Sequence, residues 1–373
     1  MDETRLDLLA LTLVPGLGVS RVHQLLKRCR DPSQIVKWSR TELKRFGLGA
    51  EAQIHIVTGC ARRDAEEALR KAQQQDIKLI TWFDDGYPFL LRQICDPPLI
   101  LYLRGELDCL YRPSVAVVGS RRCTVYGREV AFRLSADLAS LGITIVSGMA
   151  RGIDTRAHQG AVEAGGATVA VLGSGVDVVY PRENGKLYRS IVRQGCVLSE
   201  FPLGTYPAPQ NFPVRNRIIS GLSRGTLIPE AAQFSGSLIT ARLTLEQNRE
   251  LWAVPGNITS PASYGPNQLI KQGAKPIVSA QDILEELPPY LLKELLPESE
   301  EKRLASGVST TVSAKEESLL NLLGADRAVH FDILLQQGEM SLSELSSLLL
   351  NLEMKGLIEH LPGRRYSRKW AGG

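Results

Sequence analysis

Six short apolar runs in the middle of the chain alternate with segments of helical character. The runs are Ser114–Ser120, Ile143–Gly148, Thr168–Gly175, Cys196–Phe201, Thr226–Ala231 and Leu251–Gly256. Each is rich in β-branched residues, as expected of a strand that is buried on both faces of a sheet. Because helix-like segments separate them, the pattern predicts consecutive βα units of one parallel sheet. The predicted fold class is therefore α/β, with a doubly wound parallel sheet.

The chain before this sheet predicts a helical domain and a short sheet extension. Residues 1–70 have the pattern of short helices, and Lys78–Phe83 and Leu99–Arg104 have that of two more strands. Gly-containing turns at Val14–Gly18 and Phe46–Gly49 separate the helices. Such turns occur in helix-hairpin-helix modules, whose backbone N–H groups face a DNA phosphate, and in small helical bundles. The sequence leaves both interpretations open.

The C-terminal part of the chain predicts a linker followed by a winged helix. Residues 282–301 contain seven acidic residues and one basic residue, and the polar run Ser306–Ser313 follows, as is typical of a solvated linker. The final residues return to apolar periodicity, with three helical segments and then a short hairpin. The predicted domains are residues 1–70 (helical), 71–290 (sheet), 291–314 (linker) and 315–373 (winged helix).

The predicted winged helix has two possible roles. In a DNA-reading winged helix the third helix, here Ser343–Lys355, enters the groove, but this segment is poor in base-reading side chains. The wing and tail carry basic residues and no acid: Arg364, Arg365, Arg368 and Lys369. This positive charge is compatible with a weak DNA contact and with protein docking.

Composition narrows the class of protein without choosing a function. The chain has 373 residues and a net charge of +4, so a nucleic-acid site requires local clustering of basic residues. The six cysteines form no CxxC pair, which predicts reduced thiols, with neither a disulfide framework nor a metal site. The sequence shows no basic n-region and no uncharged apolar run of about 18 residues. We therefore expect a cytoplasmic protein with no membrane partner.

The carboxyl ends of the predicted strands carry the candidate binding residues, because ligands of parallel sheets bind there. Gly119, Ser120, Arg121 and Arg122 follow the first of the six strands, within the sequence GSRRCTVYG. This is not the GxGxxG of a dinucleotide site, since two arginines occupy positions that need small residues. Paired guanidinium groups suit an open, multiply charged phosphate, so no cofactor is predicted.

The stretch Asn211–Arg224 carries the strongest signal for nucleic-acid binding. Phe212 lies close in sequence to Arg215, Asn216 and Arg217. An aromatic ring that stacks on a base, beside arginines that contact phosphates, is typical of single-strand binding. The alternative is a phenylalanine in the hydrophobic core with arginines that cap it.

Further anion sites are predicted at the same edge of the sheet. Ser235, Gly236 and Ser237 precede a helical segment, with Ser237 as its expected N-cap, and Asn267 lies in a similar turn. Lys186 follows the loop after the third apolar run, where it can contact a phosphate. A mononucleotide needs one such site, whereas a strand of DNA can use them all.

Two pairs of ionisable residues are candidates for catalysis. Glu200 and Glu230 end two predicted strands, where carboxylates either do acid–base work or hold loops and arginines in place. Asp154 and His158 are about one helical turn apart on one helix face. They could act as a catalytic base and the residue that orients it, or they could form a hydrogen bond that holds the helix in place. Because no nucleophile accompanies Asp154 and His158, and the carboxylates have a structural alternative, we assign no catalytic residue.

Seven motifs occur in order along the chain, and together they strongly resemble the DprA/Smf family. They are VVGSRRCTVYG, VSGMARGIDTRAHQGA, TVAVLGSGVDVVYPREN, LSEFPLGTYPAPQNFPVRNRIISGLS, SGSLITA, WAVPGN and GPNQLIKQGA. The resemblance covers residues 80–285 and implies an extended Rossmann-like sheet domain. The N-terminal helices resemble the family's sterile-alpha-motif-like (SAM-like) domain, and the C-terminal segment resembles its winged-helix domain.

The resemblance implies a protein of natural transformation that binds incoming single-stranded DNA, protects it and helps load the RecA recombinase onto it. Members of the family form homodimers and are not known as catalysts, so we expect no enzyme activity. The family's DNA pocket corresponds here to Gly119, Ser120, Arg121, Phe212, Arg215–Arg217 and Ser235–Ser237, and Lys186 matches less closely. The alternative is a LOG-type, lysine-decarboxylase-like nucleotide-processing enzyme, which also uses arginines and a glutamate at strand ends. Its PGGxGT signature is missing, and SGSLIT occupies a comparable place.

Overall fold

The structure, a computed structural model, describes residues 2–295, 314–323, 328–337, 340–354, 357–361 and 363–368. The chain forms two compact units, Met1–Leu295 and Leu296–Gly373. The first unit thus contains both the predicted helical segment and the predicted sheet. No helix among the described residues is long and apolar enough to cross a membrane.

Six helices precede the sheet in the first unit. They are α1 (Glu3–Leu13), α2 (Val19–Arg28), α3 (Pro32–Val36), α4 (Arg40–Arg45), α5 (Ala50–Val57) and α6 (Cys60–Gln74). The predicted turns are present between α1 and α2 and between α4 and α5, where Gly16 and Gly47 adopt left-handed φ angles of 72° and 75°. Gly18 and Gly49 are the N-caps of α2 and α5. Whether these helix starts contact DNA stays a prediction.

Nine strands form the main sheet of this unit. They are β1 (Lys78–Thr81), β2 (Ile100–Gly105), β3 (Ser114–Val117), β4 (Thr144–Ser147), β5 (Thr168–Val171), β6 (Cys196–Ser199), β7 (Gly225–Ile228), β8 (Glu250–Ala253) and β9 (Lys275–Pro276). Their spatial order is β1-β2-β6-β5-β4-β3-β7-β8-β9. The strands from β6 to β9 in this order are all parallel, and β2 is antiparallel to both β1 and β6.

The eight strands expected from the sequence are confirmed. The six parallel strands that were predicted end one to four residues earlier than expected, because the apolar runs continue past the strand ends. Val118 and Leu172, for example, are buried but lie in the loops that follow β3 and β5. The two-residue strand β9 was too short to predict.

The chain runs outward from β3 to β6 and then returns to place β7 on the other side of β3. This reversal opens a crevice at the carboxyl ends of β3 and β7.

Helices cover both faces of the sheet. They are α7 (Phe89–Arg92), α8 (Val125–Ser140), α9 (Ile153–Glu163), α10 (Gly185–Gln194), α11 (Asn211–Leu222), α12 (Ser237–Glu246), α13 (Tyr264–Lys271), α14 (Ala280–Leu284) and α15 (Pro289–Leu295). Val115 of β3 packs in one buried cluster with Leu134 of α8, whereas the next residue, Ala116, packs in another with Ile218 of α11. Burial on both faces explains why the strands are continuous apolar runs.

The second unit has the element order of a winged helix. Its elements are α16 (Ala314–Leu322), β10 (Val329–His330), α17 (Phe331–Gln337), α18 (Leu342–Met354), β11 (Ile358–Leu361) and β12 (Arg365–Arg368). The three strands form an antiparallel sheet in the order β10-β12-β11. The predicted helices and hairpin are confirmed, and β10 was not predicted. Residues 296–313 of the predicted linker, Lys355 and Lys369 lie outside the described residues, and residues 291–295 belong to α15.

Candidate nucleic-acid interface

A cleft of about 940 Å³ lies at the carboxyl ends of the parallel strands. The loops that follow β3, β4, β5, β6, β7 and β8 all contribute to its lining. It brings together ten of the residues predicted from the sequence: Gly119, Ser120, Arg121, Arg122, Phe212, Arg215, Asn216, Ser235, Gly236 and Ser237. Lys186, Arg217 and Asn267 are not part of the lining.

The turn after β3 presents two arginines to solvent. A Cβ atom at Gly119 would lie 2.7 Å from the Glu230 carbonyl oxygen and from the Ile153 side chain, so only glycine fits this close approach. The Ser120 N–H donates to the same carbonyl at 2.7 Å, which ties the turn to the end of β7. The Ser120 hydroxyl accepts a hydrogen bond from the Arg122 N–H at 3.1 Å. Arg121 and Arg122 are exposed, as a phosphate-binding role requires.

Phe212, in the first turn of α11, is half-buried in the wall of the cleft rather than in the core. The guanidinium carbon of Arg121 lies 5.0 Å from the centre of its ring, and that of Arg215 lies 5.8 Å away. Both distances are within the range of cation–π attraction. The ring of Tyr180 is 5.8 Å away. The cleft therefore combines an aromatic face with two positive charges.

Arg215 places a buried positive charge beneath the cleft. Its Nη1 donates to the carbonyl oxygens of Gly148, at 2.8 Å, and Val171. Its Nε donates to the Asn216 Oδ1 at 3.1 Å. Burial lowers the pKa of Arg215 to about 10, with Asp154 opposing the shift and Arg121 adding to it. The group stays charged at neutral pH and favours an anion in the cleft.

Asp154 and His158 are both buried, and they do not form the predicted pair. The His158 Nδ1 lies 2.7 Å from the Thr168 Oγ1, which itself donates to the Ile145 carbonyl. Nδ1 therefore carries the proton, and Nε2 has no hydrogen-bond partner among the residues that the structure describes. Burial lowers the pKa of His158 to about 3. Burial raises the pKa of Asp154, and the positive charge of Arg215 opposes that shift. The proposed Asp154–His158 hydrogen bond is thus wrong, because the histidine ring packs against β5 instead.

The turn before α12 presents two serine hydroxyl groups at the cleft. The N-cap is Gly236, not Ser237 as predicted, and glycine has no side chain that could cap the helix. The Ser237 N–H approaches the Ser235 hydroxyl at 3.4 Å. The Leu238 and Ile239 N–H groups already donate to the carbonyls of Ser235 and Gly236. The hydroxyls of Ser235 and Ser237 lie 2.8 Å apart at the cleft. These serine side chains could therefore contact a phosphate at this turn.

Three predicted residues make structural contacts or lie apart from the cleft. Arg217 is buried between Asp96, 3.1 Å from its Nε, and Glu200, to which its Nη2 donates. The Asn267 side chain donates to the Gly256 carbonyl at 3.0 Å and accepts from the Gly256 N–H at 3.2 Å. Lys186 is exposed in the first turn of α10. Residues two apart on a helix face different directions, which separates Arg217 from Arg215.

The two glutamates considered for catalysis also hold the fold together. Glu230 accepts hydrogen bonds from the Thr124 N–H at 2.8 Å and its hydroxyl at 2.6 Å, which fixes the start of α8. Burial raises the pKa of Glu200, and the charge of Arg217 opposes that shift. Neither carboxylate is part of the cleft lining. In the described part of the chain, no group of three or more His, Cys, Asp or Glu side chains could hold a metal ion.

Three aromatic residues of the cleft were not assigned to the site from sequence. Tyr180, Phe234 and Tyr264 line it. Phe234 is next to the predicted Ser235–Ser237 turn, a signal that could have found it. Tyr180 and Tyr264 enter through loops that only the folded sheet brings to this edge.

The fold and the site together define a Rossmann-type α/β protein with a strand-end cleft that carries arginine, hydroxyl and aromatic groups. The family model for DNA recombination-mediator protein A matches residues 78–288, and the model for the DprA winged helix domain matches residues 305–364. The chain belongs to the DprA/Smf family, as the sequence motifs predicted.

Individual relatives agree with this assignment. The chain is similar to Protein Smf of Escherichia coli, with 41% identity over 81% of this chain and 80% of the relative. DNA processing protein DprA of Bacillus subtilis is 38% identical over 73% of this chain and 94% of the relative. The X-ray structure of DprA from Streptococcus pneumoniae has a TM-score of 0.67 and 35% identity, covering 77% of this chain and 99% of that one. A Helicobacter pylori DprA structure, described by its single-stranded DNA binding mode, has a TM-score of 0.52 and 31% identity, covering 58% of this chain and 96% of that one.

Proposed function

We propose that this protein binds single-stranded DNA in the cleft and acts in the uptake of DNA during natural transformation. The observation that carries this proposal is the ring of Phe212, which lies in the cleft wall with the guanidinium groups of Arg121 and Arg215 within cation–π distance. Single-strand binding proteins combine such stacking surfaces with positive charge along the backbone path. The Helicobacter pylori relative, which is described as binding single-stranded DNA, supports the same function here.

The arrangement favours a single strand over a duplex for a physical reason. Stacking on an aromatic ring contributes about 1–3 kcal/mol per base, and the bases of a duplex are already stacked on one another. Arg121, beside the ring, and Arg122 are both exposed at the cleft and can contact phosphates of either form. The preference for a single strand over a duplex therefore comes from the aromatic contact, and the salt dependence of DNA binding comes from the arginines.

The test compares a single strand with a duplex of the same length and sequence, by fluorescence anisotropy over a salt series. We expect tighter binding of the single strand at every salt concentration and little preference among base sequences. Each phosphate contact should add about 0.7 to the slope of log K against log salt for a single strand. Equal affinity for both forms at matched salt would contradict the proposal.

We further infer that the protein forms a homodimer, protects the bound strand and helps load RecA onto it. The description of the matching family model as a recombination mediator supports the loading role. Sedimentation tests the dimer, nuclease digestion of a bound strand tests protection, and filament assembly with RecA tests loading. Strand digestion at the rate of free DNA, or filament assembly unchanged by the protein, would contradict these roles.

We also infer that the protein catalyses no reaction at this cleft. The buried contacts of Glu200 with Arg217 and of Glu230 with Thr124 support a structural role for both carboxylates. Incubation with nucleoside monophosphates should release no free base. Hydrolysis that is lost in Glu230→Gln, with the fold retained, would favour the LOG-type enzyme instead.

A further inference from the structure

The side chain of Phe234 lines the cleft and has not been part of the contacts described so far. Phe234 lies in the loop between β7 and α12 and is 93% exposed. Single exposed apolar side chains are common on protein surfaces and carry no meaning alone. Phe234 differs because it lines a cleft that also contains arginines and serine hydroxyls.

The backbone under Phe234 is held in a defined turn. The Ser235 N–H donates to the Ala232 carbonyl at 2.9 Å, and the Leu238 N–H donates to the Ser235 carbonyl at 3.1 Å. The Ser237 N–H also approaches the Ser235 hydroxyl, at 3.4 Å. An aromatic side chain with two torsions on such a backbone loses little conformational freedom when a ligand covers it. The loop therefore presents the ring ready for contact.

Phe234 and Phe212 lie at corresponding ends of neighbouring helices. Phe212 is in the first turn of α11, and Phe234 comes three residues before α12 begins. The two helices pack against each other, and packed helices lie about 8–10 Å apart. Two rings that approach the cleft from separate helix ends can contact two different bases of one strand.

We propose that Phe234 stacks on a second base of the bound strand, while Phe212 contacts the first. The inference rests on the proposed function, because it names how the strand lies in the cleft. The Ser235 and Ser237 hydroxyls, next to this ring in the chain, contact the phosphate beside the second base. Every base has a π-face, so this contact adds affinity without sequence preference.

The test measures binding of oligothymidylate to the full chain and to variants at position 234. Phe234→Ala should bind about five- to 150-fold more weakly, with an unchanged salt slope, since stacking releases no counterions. Phe234→Leu should behave as Phe234→Ala does, and Phe234→Trp should retain affinity. Ile258→Ala is the matched control, because Ile258 is also 93% exposed but lies outside the cleft lining. It should bind as the wild type does.

An abasic strand of the same length separates base contact from phosphate contact. On this strand, wild type and Phe234→Ala should bind equally. The indole fluorescence of Phe234→Trp should be quenched by oligothymidylate and not by the abasic strand. A loss in Phe234→Ala that is equal on both strands, full affinity in Phe234→Leu, or a change of oligomeric state in Phe234→Ala would overturn the proposal.

Failure of this inference differs from failure of the proposed function. If the wild type binds a single strand no better than a duplex, the function itself is contradicted. If the wild type prefers the single strand and Phe212→Ala weakens binding, but Phe234→Ala equals the wild type, only the second stacking contact is overturned.

Discussion

Replacing Arg217 and replacing Arg121 should have opposite consequences, although the sequence suggests the same phosphate-binding role for both. Arg217→Ala should destabilise the fold and leave the salt dependence of DNA binding unchanged. Arg121→Ala should lower that salt dependence and leave the stability unchanged. The contrast follows from the surroundings of the two guanidinium groups. Arg217 has 8% of its side chain exposed, between Glu200 and Asp96, whereas Arg121 is exposed at the cleft.

The magnitude for Arg217 follows from its partners. The side chain of Glu200 is 6% exposed, so removal of Arg217 leaves an unpaired buried carboxylate, at a cost of about 3–5 kcal/mol. Asp96 is 52% exposed, and loss of that contact costs about 0–1 kcal/mol. Burial already raises the pKa of Glu200. Glu200→Gln in the Arg217→Ala background removes the unpaired charge and should therefore recover part of the lost stability.

The assays are urea unfolding at neutral pH and single-strand binding over a salt series. For Arg217→Ala we expect a lower urea midpoint and, in the folded protein, the wild-type salt slope. For Arg121→Ala we expect the wild-type urea midpoint and a slope reduced by about 0.7. A wild-type urea midpoint together with a reduced salt slope in Arg217→Ala would refute this reasoning. That result would mean that Arg217 leaves Glu200 and contacts phosphate.

Three further results are expected. Phe212→Ala should weaken single-strand binding by about 1–3 kcal/mol with an unchanged salt slope; a large loss of stability without a binding defect would place the ring in the core. His158 has a pKa of about 3 in the folded protein against 6.5 unfolded. As the pH falls below 6.5, His158 gains a proton in the unfolded chain but not in the folded protein. The wild type should therefore lose at most about 1.4 kcal/mol of stability per pH unit from this group. The urea midpoint of His158→Gln should fall less steeply with decreasing pH than that of the wild type. A chain that ends at Pro297 should keep most single-strand affinity at equal salt; losing most of it while folded would move the main DNA contact to the winged helix.

Local sequence patterns were enough to identify most strands of the main sheet and ten residues of the cleft lining. Runs of β-branched residues between helical segments identified every parallel strand except β9, because burial on both faces leaves a continuous apolar signal. The arginines after β3 and the Ser235–Ser237 turn were found because parallel strands end at one edge of the sheet. These are local patterns, and the rule that assembles them is general to the fold class.

Contacts that exist only in the folded chain determine which of these side chains face the cleft. Arg215 and Arg217 look alike in sequence, yet one lies beneath the cleft and the other pairs with Glu200. Glu230 looks like a catalytic acid until Thr124, more than a hundred positions away, is seen to donate to it. His158 bonds to Thr168 on the adjacent strand rather than to Asp154 on its own helix. In each case the deciding partner lies on another element of the fold. Burial selects the contact, because an unpaired polar group inside a protein is costly.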